Sequence, residues 1–187
     1  RRGKIREIMI TGGSHPIHCG KGREARLIDP KFRIDYLPDP TESRTRLALA
    51  FYREALGIDN ISYQFLGFFK IINVLHEKGP AQKMWINRSI DKLDDHLAKP
   101  RILELKSSGV DIGHYLYESG RCAVAHAYAE PLVDPEDPKD NARLQKDLPV
   151  IKALAEHLIE SELGIKSTNT IWREHLYELE GFRILLG

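Results

Sequence analysis

The chain has 187 residues, 42% of them hydrophobic and 29% charged, and carries a formal net charge of +1. That is enough for one domain with a real core, and the balance excludes disordered and membrane-spanning classes. The near-zero charge also excludes bulk electrostatic attraction to nucleic acid, so any such site has to be a local patch.

Residues 1 to about 40 are rich in Gly and Pro and contain short apolar alternations. Ile5–Ile10 and Arg26–Leu37 read as short strands around a turn-rich loop, with Phe32, Ile34 and Tyr36 alternating against Arg33 and Asp35. Two or three strands are marginal alone. This β-hairpin-like extension is therefore expected to lean on the rest of the chain, or to be the end of a larger unit, since the chain opens on Arg1 rather than Met.

From Thr41 to Gly187 the pattern is helical. Asp39-Pro40-Thr41-Glu42 reads as a helix start, and Leu47, Ala50, Phe51 and Ala55 fall on one face until Gly57. Ser62–Lys78 is apolar nearly all round, which predicts a helix at the centre of a bundle, ended by Gly79-Pro80. Ala81–Leu97 continues as helix through Trp85, Ile86, Ile90 and Leu93, Pro100 punctuates, and Ile102–Lys106 adds a turn or two. Asp111–Glu118 is a short helix that Ser119-Gly120 interrupts, and Arg121–Tyr128 resumes it. The three prolines of Ala129–Asp140 predict a surface loop bearing the acidic residues Asp134, Glu136 and Asp137. Asp147-Leu148-Pro149 reads as the next cap, followed by a stripe of Ile151, Leu154, Ala155, Leu158 and Ile159 and a terminating Gly164. A last helix is expected from Asn169 or Thr170 to Glu180. The whole predicts an all-α, up-and-down helical bundle over 41–187 with the N-terminal extension over 1–40.

Within YLYESGRCAVAHA, Arg121 and His126 bracket four small or apolar residues. Arg offers a fixed fork of donors matched to phosphate, and His exchanges a proton near neutral pH. Together they could grip a phosphodiester and move a proton without a metal. The spacing alone is weak evidence, because five positions along an α-helix correspond to about 140° of rotation. The small residues Ala123, Ala125 and Ala127 add to it by allowing another helix to come close. The bland alternatives are an ion pair of Arg121 with Glu118, a half-buried His126 bonded to a backbone carbonyl, and Cys122 as a small core residue.

A second constellation is His15, His18 and Cys19 in SHPIHC, which are zinc-ligand types. No CxxC or HxxxH partner supplies a fourth ligand, so an ordinary polar loop is the stronger reading and no metal is expected. HExxH, P-loop, Rossmann and GxSxG fingerprints are absent, so no cofactor is expected either. Tyr63, Lys70, Asn73 and His76 are polar positions on the central helix that periodicity cannot assign to a site. Cys19 and Cys122 form no disulfide framework, and with no secretory leader pattern this points to the cytoplasm.

The Arg121–His126 segment resembles the R-x4-6-H motif of the HEPN superfamily. The chain is also similar to the methylamine utilisation MauJ-like group, related to Apea-like HEPN domains. The residues that carry this are ALAFYREALG (48–57), SYQFLGFFKIINVL (62–75), LYESGRCAVAHA (116–127) and DLPVIKALAEHLIESELG (147–164). The resemblance implies a bundle that is commonly a homodimer, in which two R…H motifs form a composite, metal-independent endoribonuclease site. Arg121 would polarise the scissile phosphate and His126 would assist proton transfer, giving 2′,3′-cyclic phosphate ends. Active members often have Asn directly after the Arg, where this chain has Cys122. The expected partners are RNA and a second copy of the chain, with no membrane. The other function class left open is a non-catalytic accessory module for dimerisation or docking of a protein partner, linked to methylamine utilisation.

Overall fold

The computed structural model describes residues 40–125, 133–134, 136–167 and 170. The expected N-terminal strands, the His15/His18/Cys19 loop, His126 and, apart from Thr170, the last helix lie outside the described residues.

The described residues form an all-α bundle: α1 (Ser43–Gly57), α2 (Ile61–Leu75), α3 (Gly79–Ser89), α4 (Lys99–Ser107), α5 (Ile112–Tyr115), a π-helical segment (Leu116–Cys122), α6 (Ala123–Ala125) and α7 (Pro138–Ser161). No strand occurs among them. As its composition predicts, α2 is the central element. It packs on α1, α7, the π-helical segment and α6, and buries Phe65, Phe68, Phe69, Ile71 and Ile72. Asn60 caps it, accepting from the Ser62 and Tyr63 amides at 3.1 Å each. The stripe on α7 is likewise buried throughout (Ile151, Leu154, Ala155, Leu158, Ile159), and Gly164 follows it at φ +69°, where a side chain would be strained.

Several local expectations are corrected. Leu47 is exposed, and the buried face of α1 runs through Thr45, Ala48 and Ala55 instead. Small residues face α2 there, and Leu47 sits off that line. Gly79-Pro80 opens α3 rather than closing α2, which ends at Leu75; Pro in a first turn lacks only an amide that would be unpaired anyway. Pro100 occupies the same position in α4. The helix expected over Ala81–Leu97 ends at Ser89 and passes into a tight 3₁₀ turn, Ile90–Lys92, although Trp85, Ile86, Ile90 and Leu93 are all buried.

Asp147-Leu148-Pro149 does not start a helix. It lies within α7, whose cap is Asp137, accepting from the Lys139 amide at 2.8 Å, with Pro138 in the first turn. The Ala129–Asp140 surface loop is described only in part. There Val133 is buried and donates its amide to the Ala123 carbonyl at 3.2 Å, while Asp134 and Asp137 bond local amides. Ser119-Gly120 does not interrupt its helix either. The chain passes through it as a π-helical turn, in which the Ala123 amide reaches back to the Glu118 carbonyl five residues earlier.

Asp147 is fully buried. It accepts from Arg101 Nε at 2.8 Å and from the Tyr115 hydroxyl at 2.7 Å, while Arg101 Nη2 donates to the same hydroxyl at 2.9 Å. Arg143 Nη1 approaches the carboxylate at 3.6 Å. A buried carboxylate needs such partners, and here they tie α4, α5 and α7 together.

Two stability measurements follow. Asp147→Ala removes the buried carboxylate that Arg101 and Tyr115 share, leaving Arg101 only the exposed Glu104, and should cost about 3–5 kcal/mol by urea unfolding. Glu104→Ala, which removes an exposed partner of the same arginine at 2.8 Å, should leave the midpoint unchanged. Separately, a Cβ at Gly120 would overlap the buried Phe65 ring, whereas one at Gly57 meets nothing. Gly120→Ala should cost about 1–3 kcal/mol, and Gly57→Ala should be neutral or stabilise by up to about 1 kcal/mol.

Candidate functional site

The segment that carries Arg121 is brought close to α2 and α3 by small residues. A Cβ at Gly113 would overlap the Lys83 carbonyl, and one at Gly79 would sit 2.6 Å from the Tyr117 hydroxyl, so glycine is what permits these approaches. Hydrogen bonds then fix the register of α5 on α3. Asn87 Oδ1 accepts from the Gly113 amide at 2.7 Å, and Asn87 Nδ2 donates to Asp111 Oδ1 at 2.8 Å. Asp111 also caps α5 by accepting from the His114 amide at 2.7 Å. Its carboxyl is held below the usual range by that backbone hydrogen bond and then by Asn87.

The result is a cluster around the ring of Tyr117. Phe69 of α2 packs against the ring edge-on at 6.1 Å between centroids. Two cations lie over it, Lys83 Nζ at 4.7 Å and the Arg121 guanidinium at 5.3 Å from the centroid. Arg121 Nη1 is also 3.4 Å from the Tyr117 hydroxyl and 3.5 Å from Cys122 Sγ. Lys83 Nζ donates to Glu118 Oε1 at 2.5 Å and lies 3.4 Å from His114 Nδ1. Burial pushes the Tyr117 phenol up, so the ring stays neutral in the physiological range.

Two sequence expectations meet this geometry. The ion pair of Arg121 with Glu118, the bland alternative for this arginine, is not formed; Glu118 is taken by Lys83. Among the described residues no carboxylate lies within ion-pair distance of Arg121. Cys122 is half-buried and free, with its thiol 3.5 Å from the guanidinium. His126 falls just beyond the end of α6, outside the described residues.

Lys83, His114 and Tyr117 were not singled out by sequence reasoning, and Glu118 entered it only as a partner for Arg121. The one local signal was the Tyr117/Arg121 spacing of four, which places side chains on one helix face. Lys83 had none, because its 35-residue separation from Glu118 is closed only by tertiary packing.

The polar residues of α2 go elsewhere. Tyr63 is exposed, and Lys70 lies 5.6 Å over the Phe51 ring. The His76 ring packs at 5.3 Å on Trp85, with Nε2 3.5 Å from Glu162 Oε2, and Trp85 Nε1 donates to Glu162 as well. A groove of about 410 Å³ between α1 and α2 is lined by Glu54, Ile58, Tyr63, Leu66, Gly67 and Lys70, none of them a neighbour of Arg121. No group of three or more His, Cys, Asp or Glu is placed to hold a metal among the described residues, and no helix there is long and apolar enough to cross a membrane.

A family model described as methylamine utilization protein MauJ matches residues 48–160. The chain belongs to the MauJ family. The match runs from within α1 almost to the end of α7, so the Tyr117 cluster lies inside the MauJ-family region. No curated protein and no solved structure matches the chain.

The Lys83–Glu118 pair gives a pH test. The hydrogen bond from Lys83 holds the Glu118 carboxyl below its ordinary 4.5, and the same bond raises the Lys83 ammonium above 10.5. The carboxylate's contribution is present above pH 4.5 and lost as pH falls through the lowered value; the ammonium's is lost as pH rises through the raised one. The drop in thermal midpoint between pH 6 and pH 3 should therefore be smaller in Lys83→Gln than in the native chain.

Proposed function

We propose that this MauJ-family chain is an RNA-directed helical module, a HEPN-like, metal-independent endoribonuclease whose site is built on Arg121 and His126. The observation that carries this is the state of Arg121. An aromatic ring orients a guanidinium without neutralising it. With Glu118 engaged by Lys83, the charge on Arg121 stays available to an anion. A planar fork of N–H donors suits the two free oxygens of a phosphodiester.

In this reading Arg121 draws charge from the phosphoryl oxygens as they become more anionic in the transition state. The RNA 2′-hydroxyl attacks phosphorus and gives up its proton, with His126 assisting the transfer. The bond from phosphorus to the 5′-oxygen breaks, and that oxygen is protonated as it leaves. The products are a 2′,3′-cyclic phosphate and a 5′-hydroxyl. Two copies of the chain would bring two such motifs together across a homodimer.

Cys122 supports a second reading. A thiol is a weak hydrogen-bonding group where active relatives of the resembled motif carry an amide, and here it abuts the guanidinium. A MauJ-family chain with an inactive motif would serve as an accessory module in methylamine utilisation, docking a protein partner or a second copy.

RNA cleavage in EDTA separates the two. The native chain should cut single-stranded RNA to cyclic-phosphate ends. Arg121→Ala and His126→Ala, shown folded and in the same oligomeric state, should each lose about 10²–10⁴-fold in rate. No cleavage by the native chain across RNAs of mixed sequence would leave the accessory reading standing.

A further inference from the structure

The Tyr117 ring gathers two cations but only one carboxylate among the described residues. Arg121 and Lys83 come from different elements, the π-helical segment and α3, and both sit within cation–π distance of the same ring. Their charged ends therefore flank one ring, at 4.7 and 5.3 Å from its centroid. Glu118 offsets one of the two at 2.5 Å, and no carboxylate among the described residues pairs with the other. The Lys83 and Glu118 side chains keep 26% and 35% of their exposure, so solvent and a ligand can reach the pair.

We propose that Lys83 is the second cation of the anion site, held by Glu118 in the free protein and passed to a backbone phosphate of a bound single strand. The inference rests on the RNA-directed reading and adds to it a binding residue outside the R-x4-H segment. The lysine exchanges one oxyanion for another, carboxylate for phosphate, and its donor count and charge are unchanged by the exchange. Arg121 takes the phosphate beside it. Tyr117, with its hydroxyl against Gly79 and its ring packed on Phe69, is the shared support of the two cations. Glu118 acts as an internal competitor, setting how strongly a strand must bind before it captures Lys83.

The two partners of the ion pair are then expected to shift binding in opposite directions. The probe is a short, mixed-sequence single strand with 2′-O-methyl riboses, which keeps the phosphates and blocks cleavage. Binding is read by fluorescence anisotropy over a range of salt. Lys83→Gln should weaken binding about 5- to 10-fold at low salt and reduce the slope of log K on log salt by about 0.7, the value for one lost phosphate contact on a single strand. Lys83→Arg should retain the slope. Glu118→Gln should tighten binding about 3- to 10-fold by freeing the ammonium. Unfolding midpoints of each variant accompany the titrations.

If Lys83→Gln and Glu118→Gln weaken binding alike, the pair is a structural bridge and the proposal is overturned. It is also overturned, with the RNA reading intact, if Arg121→Ala abolishes binding while neither Lys83 nor Glu118 matters. No binding by the native chain, together with no cleavage in EDTA, overturns both.

Discussion

The structure turns on the contact between the Phe65 ring and the backbone of Gly120. Phe65 belongs to α2, the helix that is apolar nearly all round, and it is fully buried. Gly120 lies in the π-helical segment, and any side chain there would strike the ring. This one approach draws the segment carrying Glu118, Arg121 and Cys122 against the most buried helix of the bundle. Interiors are packed like crystals rather than liquids, so a missing Cβ at such a place sets the spacing of two elements. The π turn accompanies it. An extra residue in a turn shifts the face that the following residues present, and such turns recur at functional sites.

From that anchor the segment is gripped on two sides by tyrosines two positions apart. Tyr115 reaches into the buried polar network, bonding to Asp147 while Arg101 bonds to its hydroxyl. Tyr117 packs on Phe69 and Gly79 and carries Lys83 and Arg121 over its ring. The first contact is polar and desolvated, and loses its meaning if any partner is removed. The second joins an aromatic contact with Phe69 to two cations over one ring. A guanidinium held this way is oriented by a rigid surface rather than by a mobile carboxylate, which lowers the cost of ordering it when an anion arrives.

Much of the fold was legible because hydrophobic periodicity survives tertiary context. The all-round apolar character of α2 and the stripe from Ile151 to Ile159 could only be satisfied by burial, and both are buried. Apart from Leu47, which is exposed on α1, the mistakes are at punctuation. Pro80, Pro100 and Pro138 sit in first turns, where Pro is tolerated, while Pro149 sits inside α7. A proline thus marks either a boundary or a helix held together by its packing, and local sequence does not distinguish them. Asp147 illustrates the same ambiguity, since its side chain could bond to its own helix start or to a distant arginine. Only the tertiary structure, which supplies Arg101 46 positions away, decides. Ser119-Gly120 read as a break because serine and glycine are poor helix formers; the Phe65 contact makes glycine the residue that fits.

The candidate site was half legible for a related reason. Arg121 could be singled out from its residue type and the small residues after it, and Tyr117 lies at the spacing that shares its face. What the sequence could not show was which cation takes the single carboxylate. Glu118 is three residues from Arg121 and 35 from Lys83, and local proximity favours the arginine. The close passage of α3 over Gly113 reverses that preference by placing Lys83 Nζ at the carboxylate and over the Tyr117 ring at once. A lysine is a compact point charge that a carboxylate can satisfy with one short bond, whereas a guanidinium spreads its charge over a plane that an aromatic face can support. Lys83 thus holds both the carboxylate and the ring, and Arg121 keeps the ring and the Tyr117 hydroxyl. The charge left without a carboxylate among the described residues is the planar one, the form that best fits the paired oxygens of a phosphodiester.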